Sequence, residues 1–210
     1  MVENTQLKKR ILDLSFKHKL SHIGSCLTAA DIIDEIYDIK KPDEKFILSS
    51  GHAGLALYCV IEEYEGVNAE QAFLHHGVHP DRCASCHLYC STGSLGHGLG
   101  IALGMALADR SKNVYCLISD GECSEGSIWE ALQVQREQKI DNLYVCANIN
   151  GYGAYKKIDV ESGLLERLEE YGVAPRFTDM DDWPDWLQGQ QAHYVTMNEG
   201  QYKEALKVVE

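Results

Sequence analysis

Two almost continuously apolar segments, each ending in polar residues, constrain the fold more than any other feature of the chain. "NVYCLIS" (113–119) and "NLYVCANIN" (142–150) are predicted strands, and "SIWEALQVQREQK" (127–139) between them is a predicted helix. Strands without polar alternation are buried on both faces, which is typical of parallel sheets covered by their crossover helices. The predicted fold class is therefore α/β, a parallel sheet with helices on both faces.

The rest of the chain continues this alternation. An N-terminal helix places Leu7, Ile11 and Leu14 on one face. A second helix is predicted to open at Thr28, three residues before Asp31, in a capping-box pattern. Further predicted elements are helices over 28–39, 53–64, 94–110 and 164–172 and strands over 46–52 and 192–197. With no internal repeat or linker-like segment, residues 1–210 are predicted to form a single domain.

Charge and hydropathy exclude several classes of function. The net charge is −13, from 19 Lys and Arg against 32 Asp and Glu, which disfavours nucleic acids and anionic membranes as partners. No uninterrupted apolar run approaches the ~18 residues of a membrane span, and the N-terminal segment lacks the apolar core of a signal peptide. The eight cysteines are then expected to be reduced thiols in a cytoplasmic protein.

Asp120 and Asn150 each follow a predicted strand. In parallel sheets, ligands bind beyond the carboxyl ends of the strands, so both side chains are expected to face one crevice. A carboxylate, an amide oxygen and a backbone carbonyl are hard donors that suit Mg²⁺ or Ca²⁺, and Mg²⁺ commonly completes its shell with phosphate oxygens and water. The alternative is that both are ordinary turn residues.

The segment "SDGECSEGSIWEALQVQREQKIDNLYVCANINGY" (119–152) resembles the thiamine-diphosphate motif, Gly-Asp-Gly followed at a distance by Asn. It is most similar to the transketolase version of that motif, although Ser119 replaces the first Gly. The resemblance implies that Asp120, Asn150 and the backbone carbonyl of Tyr152 bind Mg²⁺ (or Ca²⁺). It also implies that Asp120, Gly121 and Asn150 help to hold thiamine diphosphate, in the diphosphate-binding domain of the thiamine-diphosphate-binding fold.

Four more blocks resemble transketolase segments, in the order that family has them. These are "KLSHIGSCLTAAD" (19–31), "FILSSGHAGLALY" (46–58), "VHPDR" (78–82) and "STGSLGHGLGIALGMALA" (91–108). The last resembles Thr-Gly-x-Leu-Gly-Gln-Gly, with His97 at the Gln position. By resemblance, Gly93, Leu95 and Gly96 contact the aminopyrimidine ring of the cofactor, where glycines let the backbone approach closely. Tight helix packing is the alternative reason for these glycines.

Three histidines in these blocks, His22, His52 and His79, match positions that in transketolases line the channel to the reactive thiazolium. The resemblance implies catalytic roles for all three, with His52 also contacting the cofactor. Imidazole gives or takes protons near neutral pH, as a polarised carbonyl and a developing alkoxide require. The alternative is that these histidines only hydrogen-bond to loop backbone. His193 matches a later family histidine too loosely to be assigned.

Glu125 and Glu130 match acidic positions that in transketolases lie at the subunit interface. The resemblance implies that they connect paired active sites. Two local roles are equally compatible with the sequence. Ser127 and Glu130 have capping-box spacing, and Glu125 would favour the positive end of a helix dipole.

A polar loop over 75–93 contains four potential zinc ligands, Cys83, Cys86, His87 and Cys90. Cys-x-x-Cys is a familiar zinc half-site, but a second Cys/His pair is missing. We expect unligated thiols here, with Zn²⁺ as the alternative. Covalent haem, suggested by Cys-x-x-Cys-His, requires export and is excluded on that expectation. His18, His75 and His76 match no family position and are expected at the surface.

The resemblance covers only the first of three transketolase domains, and the pyrimidine-binding and C-terminal domains are expected to be absent from this chain. It implies the N-terminal subunit of a split transketolase, which is a transferase moving a two-carbon ketol unit from a ketose to an aldose, with phosphorylated sugars expected. The expected partner is a C-terminal subunit carrying the pyrimidine domain and its activating glutamate, in a heterotetramer. Alternatives are a 2-oxo-acid dehydrogenase alpha-like or deoxyxylulose-phosphate-synthase-like subunit, or a non-catalytic zinc- or partner-binding subunit.

Overall fold

The computed structural model describes residues 2–154, 156–161 and 163–210. One parallel sheet of four strands runs in chain order, and every pairing within it is parallel. The strands are β1 (Lys45–Leu48), β2 (Val114–Ser119), β3 (Leu143–Ile149) and β4 (Ala174–Phe177). Because all four strands point the same way, their carboxyl ends lie along a single edge of the sheet.

Eight α-helices are found in the described residues. They are α1 (Thr5–His18), α2 (Ile23–Ile39), α3 (Gly54–Glu65), α4 (Ala69–His76), α5 (His97–Ala108), α6 (Gly126–Glu137), α7 (Leu164–Glu170) and α8 (Glu199–Val209). Short 3₁₀ turns join several of them. None of the helices in the described ranges is both long and apolar enough to cross a bilayer.

The core has two parts, one on each face of the sheet. Helices α1, α2, α3 and α8 contribute to the first, which includes Ile11, Ile33 and Tyr58. Helices α5, α6 and α7 contribute to the second, with Leu99 and Ile128 among its buried residues. All six residues of β2 are buried between these layers. The predicted α/β class, with helices on both faces of a parallel sheet, is confirmed.

The second helix begins five residues earlier than predicted. α2 starts at Ile23, directly after His22, whose backbone is left-handed. Thr28 therefore lies inside the helix, where its hydroxyl donates to the carbonyl of Ser25 at 3.3 Å instead of capping the helix. The expected capping box is wrong because residues 23–27 are themselves buried, and their burial extends the helix toward its N-terminus.

Two other local predictions also fail. Residues 192–197 do not form a strand: 3₁₀ turn Gly189–His193 occupies the start of that range, and the fourth strand is β4, earlier in the chain. Ser127 lies within α6 and does not cap it, because its hydroxyl donates to the carbonyl of Gly96 at 3.1 Å. In each case a tertiary contact decides the local structure.

Candidate functional site

A cavity of about 200 Å³ opens at the carboxyl edge of the sheet, where ligands bind in open parallel sheets. The ends of β2 and β3, the N-terminus of α2, the turn after β1 and the loop before α5 surround it. Predicted site residues that line it are His22, His52, His79, Gly93, Leu95, Gly121, Asn150 and Tyr152. Residues scattered over 131 positions of the sequence therefore meet at one place in the fold.

Asp120 lies between Ser119 and Gly121, which both line this cavity, and is only 1% exposed. One carboxylate oxygen accepts a hydrogen bond from the backbone N–H of Gly121 at 2.8 Å, and the other accepts one from Gly151 at 2.6 Å. Burial raises the pKa of the carboxyl to about 6, against the opposing effect of these backbone donors. Within the described residues, no Lys or Arg side chain forms an ion pair with it, so its charge is balanced only by amide dipoles.

Asn150 and Tyr152 place two more oxygen donors beside Asp120. The side-chain oxygen of Asn150 accepts from the backbone N–H of Tyr152 at 3.0 Å, which folds this segment into a tight turn. Gly121 packs against the same turn, since a Cβ there would lie 3.1 Å from the Cα of Gly153. A buried carboxylate with unused lone pairs, an amide oxygen and a carbonyl form a donor set suited to a hard divalent cation.

The histidines of the cavity form a cluster. The ring centroids of His22 and His52 are 5.3 Å apart, and His193 lies 6.4 Å from each. Burial, followed by the charges of neighbouring histidines, lowers the pKa of His52 to about 3. Burial likewise lowers the pKa values of His22 and His193. All three are therefore neutral imidazoles at pH 7, able to accept a proton or donate a hydrogen bond.

His193 belongs to this site, although the sequence did not assign it. It is 8% exposed, and its Nδ1 lies 2.7 Å from the hydroxyl of Ser25. The 3₁₀ turn that carries His193 can contact α2 because Gly24 has no side chain. A Cβ atom on Gly24 would lie 2.6 Å from the Cβ of Ala192. The only sequence signal for His193 was its loose match to a family histidine.

Glu122 is a second residue that sequence reasoning missed. It is fully buried, and one of its oxygens accepts from the hydroxyl of Ser49 at 2.7 Å and from the backbone N–H of Gly96 at 2.8 Å. The other oxygen accepts from the backbone N–H of Ser119 at 3.1 Å. Glu122 thus connects the end of β1, the end of β2 and the loop before α5, which makes it a positioning residue for the cavity wall.

Close backbone approach forms another part of the cavity wall. A Cβ on Gly51 would lie 2.7 Å from the backbone nitrogen of Gly93, so the turn carrying His52 touches the loop of Gly93 and Leu95. The ring of His79 packs against Gly93, whose Cβ would lie 3.0 Å from it. The glycines of this loop therefore serve tight packing, and they leave its backbone beside the cavity.

Glu125 and Glu130 are both exposed, at the start of α6. Neither caps the helix: the residue at the N-cap position is Glu125, and its side chain makes no capping hydrogen bond. Their exposure leaves them accessible to another protein chain, and their predicted interface role stays a prediction.

The four cysteine-loop donors do not converge as the zinc alternative required. The His87 ring faces Glu65, with Nδ1 3.6 Å from the carboxylate. Cys90 is buried in the core on the α5 side of the sheet. Instead, Cys83 and Cys86 lie beside His76, a residue expected only at the surface. A zinc site made by His87 and Cys90 with the two other cysteines is therefore wrong.

Comparisons with known proteins show which family this chain is similar to. The model of the C-terminal TPP binding domain of thiamine pyrophosphate enzymes matches residues 68–204. The transketolase of Pongo abelii is 37% identical over 153 residues, 63% of this chain and 24% of that protein. One subunit of the apulose-4-phosphate transketolase from Phocaeicola vulgatus is 31% identical over 170 residues, 71% of this chain and 60% of that protein. The matches thus span about a quarter of the animal protein and well over half of the bacterial one.

Solved transketolase structures share the fold. A variant of the Pichia stipitis enzyme gives a TM-score of 0.65 at 20% identity, over 80% of this chain and 30% of that chain. The enzyme from Leishmania mexicana gives 0.58 at 19% identity, over 84% and 36%. Because the matched family model covers well over half of its residues, the chain belongs to the thiamine pyrophosphate enzymes and has their α/β cofactor-binding fold.

Proposed function

We propose that this chain is the diphosphate-binding subunit of a split transketolase, which moves a two-carbon ketol unit from a ketose to an aldose together with a C-terminal subunit. One observation carries the proposal: Asn150 and both chain neighbours of Asp120, Ser119 and Gly121, line the same cavity as His22, His52 and His79. The transketolases among its relatives support this reaction over the 2-oxo-acid dehydrogenase and deoxyxylulose-phosphate alternatives.

The residues present fit a magnesium ion and the diphosphate of thiamine diphosphate. Asp120 carries a buried charge, and none of the described Lys or Arg side chains forms an ion pair with it. Asn150 and the Tyr152 carbonyl would provide further oxygen ligands to the ion. Gly93, Leu95 and Gly96 would contact the aminopyrimidine ring. When bound, the cofactor supplies the electron sink that makes carbon–carbon cleavage next to a carbonyl accessible.

The histidines supply hydrogen bonds and proton transfer around the reacting sugar. His22 and His52 face each other at 5.3 Å, inside the cavity, where low exposure strengthens a hydrogen bond to a developing alkoxide. His79 is exposed at the edge of the cavity, where sugar hydroxyls would arrive. Since burial keeps the cluster neutral, an imidazole can take the proton of a substrate hydroxyl and later return it.

A partner chain is supported by one face of α5. The helix is apolar throughout, and its inner face packs on the sheet through residues such as Leu99 and Ala102. Gly100, Gly104 and Leu107 lie at helical spacing on an outer face: Cβ atoms on the two glycines would touch nothing within 4 Å, and Leu107 is 39% exposed. Small and apolar residues on an exposed face suit close packing against another chain.

The proposed substrates are phosphorylated sugars. The relative from Phocaeicola vulgatus is named for apulose 4-phosphate and is itself one subunit of its enzyme, and one solved Pichia stipitis complex contains fructose 6-phosphate. With a net charge of −13, this chain would depend on local donors, or on its partner, to hold a sugar phosphate.

Calorimetric titration of thiamine diphosphate with Mg²⁺ tests the proposal, on this chain alone and on its complex with the candidate C-terminal subunit. The expected result is binding that tightens in the complex and is lost in Asp120→Ala. Asp141→Ala, an exposed carboxylate on the opposite edge of the sheet, is the matched control and should bind normally. A folded chain that binds no cofactor in either setting would contradict the proposal. Ketol transfer by the complex would then identify the sugars.

A further inference from the structure

A second group of potential metal ligands lies outside the cofactor cavity. Three potential ligand atoms lie within 4.8 Å of one another: a ring nitrogen of His76, at the end of α4, and the thiol sulfurs of Cys83 and Cys86. Around a tetrahedral zinc ion, bonds of about 2.0–2.3 Å place ligand atoms roughly 3.5–3.8 Å apart. Small side-chain rotations would therefore bring all three atoms onto one ion.

The turn that carries the two cysteines directs both thiols to one side. Cys83 and Leu88 exchange backbone hydrogen bonds of 2.8 and 2.9 Å, which close a small loop around the 3₁₀ turn Ala84–Cys86. Residues three apart across such a turn have eclipsed side chains. The left-handed backbone of His87 then redirects the chain and points its ring away, toward Glu65.

Polar groups surround the sulfur of Cys83. The hydroxyl of Ser85, the thiol of Cys86 and the backbone N–H groups of both residues hydrogen-bond to its sulfur and lower its pKa. Burial raises the pKa of Cys86, as does its hydrogen bond to Cys83. Metals bind the thiolate form, so a cation would displace the thiol protons of both cysteines.

His76 provides the independent observation. Its Nε2 is buried, and no hydrogen-bond partner for it is found in the described part of the chain. A buried imidazole nitrogen without a partner is costly, and ligation of a metal would satisfy it. Cys83 and Cys86 are themselves half-buried, and all eight cysteines of the chain are free thiols.

We propose that His76, Cys83 and Cys86 bind one Zn²⁺ ion, with water as the fourth ligand. Binding places the neutral imidazole and two thiolates on the ion and releases the two thiol protons to solvent. His79 lies in the six residues between His76 and Cys83. The ion would therefore fix both ends of the segment that places His79 at the cavity. The site would thus be structural, acting through the position of His79.

Metal content of reduced, tag-free protein tests the proposal. Elemental analysis after dialysis is expected to find one Zn²⁺ per chain, which Cys83→Ser and His76→Gln should each abolish. Co²⁺ substitution should produce the intense visible bands of a tetrahedral site together with thiolate-to-metal charge-transfer absorption. His75→Gln, the exposed neighbour of His76, is the matched control and should keep the ion. Zn²⁺ should also slow amide exchange over residues 77–82.

Three results would overturn the proposal. Reduced wild-type protein, shown to be folded by circular dichroism, could fail to take up Zn²⁺ or Co²⁺. The His76→Gln variant could bind the ion as tightly as wild type, which would remove the imidazole from the site. Mass spectrometry could find Cys83 and Cys86 still joined in a disulfide in protein purified with reductant and Zn²⁺ present. None of these readouts depends on thiamine diphosphate, so the zinc site and the cofactor site are tested separately.

Discussion

The hydroxyl of Ser49 donates a 2.7 Å hydrogen bond to the carboxylate of Glu122, and this contact joins the carboxyl ends of β1 and β2 inside the core. The same carboxylate accepts a hydrogen bond from the backbone N–H of Gly96, in the loop before α5. The arrangement aligns three segments that border the cavity before any ligand arrives. A rigid, preorganised wall of this kind lowers the cost of orienting a cofactor and its substrate.

Replacing Glu122 with Gln should destabilise the fold. The carboxylate accepts from three donors, so the NH₂ group of a glutamine must face a donor, most directly the N–H of Ser119. We expect a loss of about 1–3 kcal/mol in the free energy of unfolding, as for other buried unsatisfied groups. Urea denaturation measures it, with exposed Glu125→Gln as a control that should unfold like wild type. Equal stability of the two variants would mean that the hydrogen bonds of Glu122 do not stabilise the cavity wall.

Gly51→Ala should displace the loop that carries Gly93. The added methyl would lie 2.7 Å from backbone atoms of Thr92 and Gly93, which cannot move as easily as a side chain. We expect about 1–3 kcal/mol of destabilisation from overpacking, with weaker cofactor binding. Gly100→Ala is the contrasting variant, because open space surrounds that position in α5, and it should gain about 0.5–1 kcal/mol of helix stability. Thermal denaturation measures the stability of both variants, and calorimetry measures their cofactor binding.

The stability of the chain should fall on acidification, in part because of His52. Its folded pKa of about 3 lies below the ordinary value of 6.5, so between these values the unfolded chain binds a proton that the folded chain excludes. Its contribution to stability is therefore present above pH 6.5 and is lost as the pH falls toward 3, with a slope of about 1.4 kcal/mol per pH unit. His52→Gln should flatten urea-measured stability over pH 6.5–4. Exposed His75→Gln should retain the wild-type slope, and an unchanged slope in His52→Gln would refute this assignment.

If the chain acts with a C-terminal subunit as proposed, kinetics of their complex should separate the buried histidines from the exposed one. His79 lies exposed at the cavity edge, so His79→Ala should mainly raise KM for the sugar. His193 is buried and held by Ser25, so His193→Ala should mainly lower kcat, by about 10²-fold or more if it transfers protons. Ser25→Ala should lower kcat less, through a misplaced imidazole. Identical effects of His79→Ala and His193→Ala on kcat and KM would argue against this division of roles.

Leu107→Asp should prevent assembly while leaving the chain folded. The side chain is already 39% exposed on the outer face of α5, so a charge there costs little in the isolated chain. At an interface the same charge would be desolvated without a partner. Light scattering with the C-terminal subunit measures assembly, and circular dichroism confirms folding. Leu74→Asp, another exposed leucine but on α4, is the control; if both variants assemble, the partner docks elsewhere.

Much of the fold was predictable because its signals are local. Apolar continuity in β2 and β3 required a sheet covered on both faces, and glycine-rich and acidic turns after these strands marked the ligand edge. Where the predictions failed, a contact with a residue distant in the sequence decided the local structure. Thr28 looked like a cap, yet its hydroxyl lies inside α2 and accepts from the amide of Asn148 in β3. Ser127 likewise contacts Gly96 across the fold, a pairing that no local pattern contains.

The sequence alone determined the α/β architecture and the identity of about half of the cavity residues, because strand burial and short motifs depend on residues that are neighbours in the chain. The tertiary structure alone decided which distant groups meet. It brought His193 to Ser25, Glu122 to Ser49 and His76 to the two cysteines of the loop. These contacts depend on how α2, α4 and the C-terminal 3₁₀ turn pack around the sheet, and packing depends on the whole chain. Sequence motifs therefore identified residues such as Asp120, Asn150 and His52, while the fold decided which distant side chains lie beside one another.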